Sequence, residues 1–228
     1  MINVLVDIDG TIMLVPRSVD IKSSAVMFKK VFGVEASEEF IDNSARPERY
    51  IVIEVLKKMA IKLKEVPEKA YISWAEAESQ ELKKNPAKIL PGAVELLKKL
   101  SENQEIKLSL LTGNSYFRAE AKLNSVGLDI FFRNPETGRL AGVFGEEGNT
   151  REELLLKTLS QKKAEDKIII LDDSLLGGEM AKKNNIPIIL VATGKFSQEK
   201  LKPFTKYVFP DLGQDRWRKV IKIINSLM

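Results

Sequence analysis

Asp7 and Asp9 close the apolar run of the stretch VLVDIDGTI, two residues apart and just ahead of Gly10. In a strand, residues i and i+2 point to one side, so both carboxylates face a common space, and Gly10 lets the chain turn at once. Two further apolar runs end in polar residues. LSLLTGN delivers Thr112 with Gly113 and Asn114, and KIIILDDS delivers Asp172 and Asp173. Each alone also reads as a turn or cap residue. Three at once, each at the carboxyl end of a strand, mark the place where open parallel sheets bind ligands. At about 4 Å and an effective dielectric near 20, two like charges cost roughly 4 kcal/mol. A hard divalent cation relieves that repulsion, and an all-oxygen donor set suits Mg²⁺ rather than zinc. A metal held by few protein ligands keeps positions for substrate oxygens and water, which points to phosphate chemistry.

The elements that must position these residues follow from periodicity. Short runs at 2–6, 107–111, 167–171, 187–191 and 207–209 read as strands, several apolar throughout, as parallel strands covered on both faces are. Helical patterns lie between them at 93–101, 116–126, 151–162, 178–184 and 215–227. Gly127 stands at a C′ position, and Thr150 to Glu153 forms a capping box. The alternation predicts an α/β fold, a doubly wound, mainly parallel Rossmann-like sheet. One interval breaks it. Helical patterns at 21–32, 48–63 and 68–82, with no convincing strand, fill about 75 residues, too many for an ordinary connection. The expectation is a discontinuous catalytic core, residues 1–13 and 89–228, carrying an all-helical cap domain at 14–88, with hinges near 14–16 and 85–91.

Composition narrows the chemistry. The 228 residues are 44% hydrophobic and 30% charged, with no Cys and no His. Disulfides, zinc knuckles and thiol catalysis are excluded, and acid–base work near neutral pH falls to Asp, Glu, Lys or Tyr. No apolar run reaches the ~20 residues that span a bilayer, and no charged-then-apolar leader is visible, so a cytoplasmic protein without a membrane partner is expected. The net charge is +4, but the lysines fall in pairs, among them Lys57-Lys58, Lys98-Lys99 and Lys162-Lys163, spread over six helical patterns. That distribution reads as solvated helix faces and not as a nucleic-acid surface.

The order Asp7-Ile-Asp-Gly-Thr11, Leu-Leu-Thr112-Gly-Asn, a basic residue, then Ile-Leu-Asp172-Asp173 resembles the haloacid dehalogenase superfamily over the whole core. The helical interval sits where that superfamily carries a cap, and FGEEGNTREEL with VATGKFSQEKL is most similar to the phosphoglycolate-phosphatase-like branch. The resemblance implies that Asp7 is a nucleophile forming an aspartyl-phosphate, and that Asp9 is the acid for the leaving alkoxide and then the base for water. It implies Mg²⁺ held by Asp7, the Asp9 main-chain carbonyl and Asp173, with Asp172 the other candidate. It implies phosphate held by Thr112, Gly113 and Asn114 and by a basic residue, Arg151 or, failing it, Lys157. Gly177 occupies the place where many relatives carry a later Asp. Within NSARPERY, Arg46 matches a cap loop that meets substrate. The substrate expected is a small phosphorylated metabolite. A dehalogenase needs no acid at the Asp9 place, because halide leaves unprotonated, so Asp9 favours a phosphatase. The alternatives are a phosphomutase of the beta-phosphoglucomutase type, a haloacid dehalogenase, and a non-enzymatic phospho-acceptor.

Overall fold

The computed structural model describes residues 1–162 and 164–227; Lys163, one of the paired lysines, lies outside the described residues. Strand β1 (Ile2–Val6) opens the chain and occupies the middle of the sheet. A ribbon strand β2 (Met13–Leu14) leads into helices α1 (Arg17–Met27), α2 (Glu48–Lys58) and α3 (Glu68–Lys84), and β3 (Lys88–Ile89) returns beside β2. The remainder alternates: α4 (Ala93–Ser101), β4 (Ile106–Leu111), α5 (Tyr116–Val126), β5 (Gly142–Val143), α6 (Arg151–Gln161), β6 (Lys167–Asp172), α7 (Leu175–Lys183), β7 (Ile188–Val191), α8 (Gln198–Leu201), β8 (Val208–Phe209) and α9 (Arg216–Asn225).

Six strands pair in the order β5-β4-β1-β6-β7-β8, all parallel, with Val4 opposite Leu108 on one side and Ile169 on the other. This is the expected doubly wound α/β sheet. Side-chain alternation divides the core in two. Val4 and Val6 enter a layer with Leu96 and Leu100 of α4, Leu123 of α5 and Val220 of α9. Leu5 enters the opposite layer with Leu154 of α6 and Met180 of α7. The continuous apolar runs of β6 and β7 follow from this, since both of their faces are buried.

The inserted helices have a core of their own, built on Met27, Phe28, Val52, Val55, Leu56 and Trp74. α3 packs along α1 on one side and along α5 of the sheet layer on the other. Several boundaries differ from expectation. The stretch 14–88 carries strand after all, because Met13–Leu14 pairs antiparallel with Lys88–Ile89 and ties the ends of the insert together. α2 stops at Lys58 and not at 63, since Ala60 turns left-handed with φ 59° and Ile61 N–H bonds back to Leu56. α1 starts at Arg17, four residues early, and unwinds into a wider turn over Phe28–Phe32 that ends at Gly33. α7 begins at Leu175 rather than 178, with the Ser174 hydroxyl accepting from Gly177 N–H at 3.0 Å. Of the Thr150 capping box, the forward half is present, Thr150 Oγ1 accepting from Glu153 N–H at 3.1 Å; Glu153 instead accepts from Asn149 N–H.

Candidate active site

The carboxyl ends of β1, β4 and β6 meet beneath the insert. There the chain lines one cavity of about 210 Å³ with Asp7, Asp9, Thr112, Gly113, Asn114, Arg151 and Asp173, and with Arg46 from the insert. After β1 the chain folds back sharply: Gly10 N–H donates to Met13 and Met13 N–H to Ile8. Gly10 has φ +79°, and a Cβ there would lie 2.4 Å from Asp173 Oδ2, so the turn is closed to any other residue. The aspartates of β1 and β6 are brought together by that approach.

Arg151 opens α6 and is buried between two carboxylates, with Nη1 3.2 Å from Asp7 Oδ1 and Nη2 on Asp172 Oδ2. Its neighbours hold its pKa above the ordinary value against the desolvation that works to lower it. A cation in a helix's first turn opposes the macrodipole, and these anions compensate it. Lys157, the other basic candidate, turns away to pair with Glu147. Asp172 is fully buried and lies behind the cavity wall, accepting from Ser174 N–H at 2.8 Å and Ser174 Oγ at 2.7 Å. Gly177, where relatives place an acid, has no room for a side chain: its Cβ would fall 2.4 Å from the Asp172 carboxyl carbon.

Asp7, Asp172 and Asp173 each bring one oxygen within 4.8 Å of the others. Burial, then the other carboxylates, raise Asp7 to about 7 despite Arg151, and push Asp173 well up for the same reasons. Buried acids that repel one another, with no His or Cys among them, are a donor set that fits a hard divalent cation. Asp172 is already engaged by Arg151 and Ser174, which leaves Asp7 and Asp173 to face the cavity.

Asp9 has different company. Lys122 Nζ stands 2.8 Å and Asn114 Nδ2 2.6 Å from Asp9 Oδ2, while Lys122 also donates to Asn114 Oδ1 at 2.9 Å. Burial disfavours the Asp9 anion, but Lys122 and Asn114 outweigh it, and the pKa is lowered. Thr112 Oγ1 accepts from Asn114 N–H and Nδ2, at 3.2 and 3.0 Å, which leaves its own proton to donate elsewhere. α5 begins only at Tyr116, so Thr112, Gly113 and Asn114 form a loop ahead of it; Glu146 caps that helix, accepting from Tyr116 N–H at 3.0 Å. Arg46 reaches the cavity with its guanidinium 5.1 Å from the Tyr50 ring centroid.

The sequence reading missed Lys122 and its neighbour Arg118. Arg118 is 2% exposed and bonds Glu78 through Nε and Nη2, Glu48 through Nη1 and Asp20 through Nη2, all at 2.7 Å. The signal was present in YFRAEAKLNSV, where two cations four residues apart sit beside the apolar positions Ala119 and Leu123 of one helix. Which carboxylates they meet was not written there.

An open parallel sheet with an acidic centre at its strand ends, covered by inserted helices, defines a doubly wound, Rossmann-like α/β fold. The chain belongs to the haloacid dehalogenase-like hydrolases, whose family model matches residues 3–185. Similar solved structures include a HAD hydrolase, family IA, variant 3, from Entamoeba histolytica, at 18% identity and TM-score 0.61, covering 97% of this chain and 100% of that one. A predicted phosphatase from Clostridium acetobutylicum is 19% identical with TM-score 0.59, covering 96% and 98%. A protein from Thermotoga maritima, predicted to be a beta-phosphoglucomutase, is 21% identical with TM-score 0.57, covering 97% and 99%. At such identities the likeness is one of fold. No curated protein matches the chain. Among the described residues no helix is long and apolar enough to cross a membrane.

Proposed function

We propose that this hydrolase is a phosphatase acting on a small phosphate monoester through an aspartyl-phosphate on Asp7, with Asp9 as acid and base. The observation that carries the reading is the division of labour between two carboxylates sharing one cavity: Asp7 beside Arg151, Asp9 fixed by Lys122 and Asn114. The Asp7 carboxylate attacks phosphorus and the ester P–O bond breaks, its electrons leaving on the alkoxide oxygen. That oxygen takes a proton from Asp9. Water then attacks the phosphoryl group, gives its proton to Asp9, and the Asp7–phosphorus bond breaks. In the free site Lys122 keeps Asp9 in the ionised form of a base; a phosphate dianion arriving beside it favours uptake of the proton that it must later donate. Arg151, the Thr112 hydroxyl and the loop amides of Gly113 and Asn114 take the phosphoryl oxygens. Asp7 and Asp173 would hold Mg²⁺, which when bound would neutralise charge on those oxygens and favour the ionised form of both ligands.

The insert acts as the cap: Glu48 N–H donates to Gly113 carbonyl oxygen at 2.8 Å and so closes the wall over the strand ends. That closure also favours a second reading. A phosphomutase of the beta-phosphoglucomutase type must protect its phospho-aspartate from water, and both enzymes share the first half-reaction. Neither a membrane nor a nucleic acid enters this scheme, which runs on a soluble metabolite in the cytoplasm. The test is phosphate release from p-nitrophenyl phosphate with Mg²⁺. Release that disappears with chelation and in Asp7→Asn supports the reading, and release that survives both overturns it. Transfer to a sugar phosphate in preference to water would select the mutase.

A further inference from the structure

The cavity wall opposite the phosphate site belongs to the insert, and it is lined by Asp20, Glu38, Asn43 and Glu48. Its charge does not balance. Arg118 and Lys122 face Asp9, Asp20, Glu48 and Glu78 through ion pairs of 2.7 to 3.6 Å, and Glu38 stands beside them with only Asn43 Nδ2 on its Oε1, at 2.7 Å. Two cations thus serve five carboxylates. Arg118 already spends Nε, Nη1 and Nη2 on them, and Lys122 is committed to Asp9 and Asn114. Neither is available to a second anion on a substrate.

What the wall has in surplus is acceptors. Glu48 is 2% exposed, lines the cavity, and its Oε2 accepts no hydrogen bond. Burial and the neighbouring acids raise Glu38 to about 7 and Asp20 to about 6, the direction expected where carboxylates outnumber the cations that face them. Two further cations line the same cavity, Arg46 and Lys195, but they stand by the exposed Asp42, with Arg46 on the Tyr50 ring and Lys195 on Ser44, and make no ion pair with the acids of this wall.

We infer that the non-reacting part of the substrate carries a protonated amine, which Glu38, Asp20 and Glu48 accept, so that the leaving group is an amino alcohol or amino sugar. This rests on the phosphatase reading and deepens it. An ammonium fits because it brings donors and the missing charge together, and a charge-assisted bond to a buried carboxylate is worth about 10-fold or more in binding. A carboxylate-tailed ester such as phosphoglycolate would add a further anion to the wall.

The experiment compares kcat/KM of the unaltered, Mg²⁺-loaded chain on matched pairs. They are 2-aminoethyl phosphate against 2-hydroxyethyl phosphate, and glucosamine 6-phosphate against glucose 6-phosphate, with phosphoglycolate and p-nitrophenyl phosphate alongside. The expected result is a preference of about 10-fold or more for the amine in at least one pair, with phosphoglycolate below both amines. Glu38→Gln and, separately, Asp20→Asn should shrink that ratio toward one. Hydroxyl counterparts equal to or better than the amines, or phosphoglycolate at the head of the ranking, overturn the inference while p-nitrophenyl phosphate turnover leaves the phosphatase reading standing. No turnover of any ester, p-nitrophenyl phosphate included, overturns both. Because the ranking is read on the unaltered chain, it decides even if a variant fails to fold.

Discussion

The molecule holds two buried clusters of charge, and they are built to opposite ends. In one, Arg151 sits between Asp7 and Asp172 with Asp173 adjacent, every member coming from a strand end or from the first turn of α6. In the other, Arg118 and Lys122 of α5 reach Asp20 of α1, Glu48 of α2 and Glu78 of α3. The first stays inside the sheet unit and leaves oxygens facing the cavity. The second spans two units, and one guanidinium touches all three inserted helices while lying 4.2 Å from the Trp74 ring centroid. Charge placed among neighbours in one layer faces the cavity; charge placed across layers ties the inserted helices to the sheet unit. Asp9 belongs to both, because it shares the cavity with Asp7 and shares Lys122 with the insert.

The comparison breaks most visibly at Asp7. Asp7→Asn should cut Mg²⁺-dependent phosphate release by roughly 1,000-fold or more, as loss of a nucleophile does, while Arg151 keeps Asp172 and the fold stands. A variant retaining a tenth of wild-type kcat would remove Asp7 from that role. Arg118→Met should do the reverse, leaving Glu48 without its cation and Glu78 and Asp20 with Lys122 alone, at 3.6 and 3.5 Å. Removing one side of a buried pair costs about 3–5 kcal/mol, readable by urea denaturation. A loss below about 1 kcal/mol would mean that the insert is held by its apolar packing and that Arg118 is no clamp.

Two smaller effects sharpen the contrast. Mg²⁺ at about 100 times Kd should stabilise the folded chain by roughly 2.7 kcal/mol, and Asp173→Ala should remove most of that gain while Arg118→Met does not. A melting temperature that ignores Mg²⁺ would rule the metal out. The insert's acids act through pH instead. Burial raises Glu38 to about 7 and Asp20 to about 6, above their unfolded values of 4.5 and 3.8. A carboxyl that binds its proton more tightly when folded makes the folded state the richer in protons, so this contribution weakens as pH rises from about 4 through about 7. Glu38→Gln should flatten the fall in melting temperature between pH 5 and pH 8, on the order of 1–2 kcal/mol. An unchanged slope would place the titration elsewhere.

The same contrast explains what could be read ahead of the structure. β1, β6 and β7 announce themselves by apolar runs because both of their faces are covered; Asp7, Asp9, Asp172 and Asp173 are legible as breaks at the ends of β1 and β6, and Thr112 at the end of β4. The carboxylates of the first cluster are therefore each local to a strand end, and Arg151 stands at the first residue of a capped helix. The second cluster depends on how α3 lies against α5, and its Arg118 pairs join residues 40 to 98 positions apart on separate helices. No periodicity carries that information. The β2–β3 ribbon escaped for another reason: two residues per strand are too few for alternation to register. Nothing in the sequence marks Glu38 and Asp20 among the other acids of the insert; only the cavity wall brings them together.

The smallest expected effect decides between two cations that the sequence left in competition. Lys157 is 42% exposed on its side chain and pairs with Glu147, whose Oε1 also accepts from Phe144 N–H at 2.9 Å. Truncating it removes one exposed ion pair, worth about 0–1 kcal/mol, and leaves the Glu147 turn held by its backbone bond. Lys157→Ala should therefore keep kcat/KM on p-nitrophenyl phosphate within about 2-fold. Arg151→Ala differs in kind. It strips the buried partner from Asp7 and Asp172 together and takes away the cation proposed to meet the phosphoryl oxygens, so kcat/KM should fall by roughly 100-fold or more. Measured side by side with circular dichroism to confirm folding, the two variants separate a residue at the reacting end from one on the surface of the same helix. Equal losses would return Lys157 to the site and dissolve the distinction drawn between Arg151 and an ordinary surface cation.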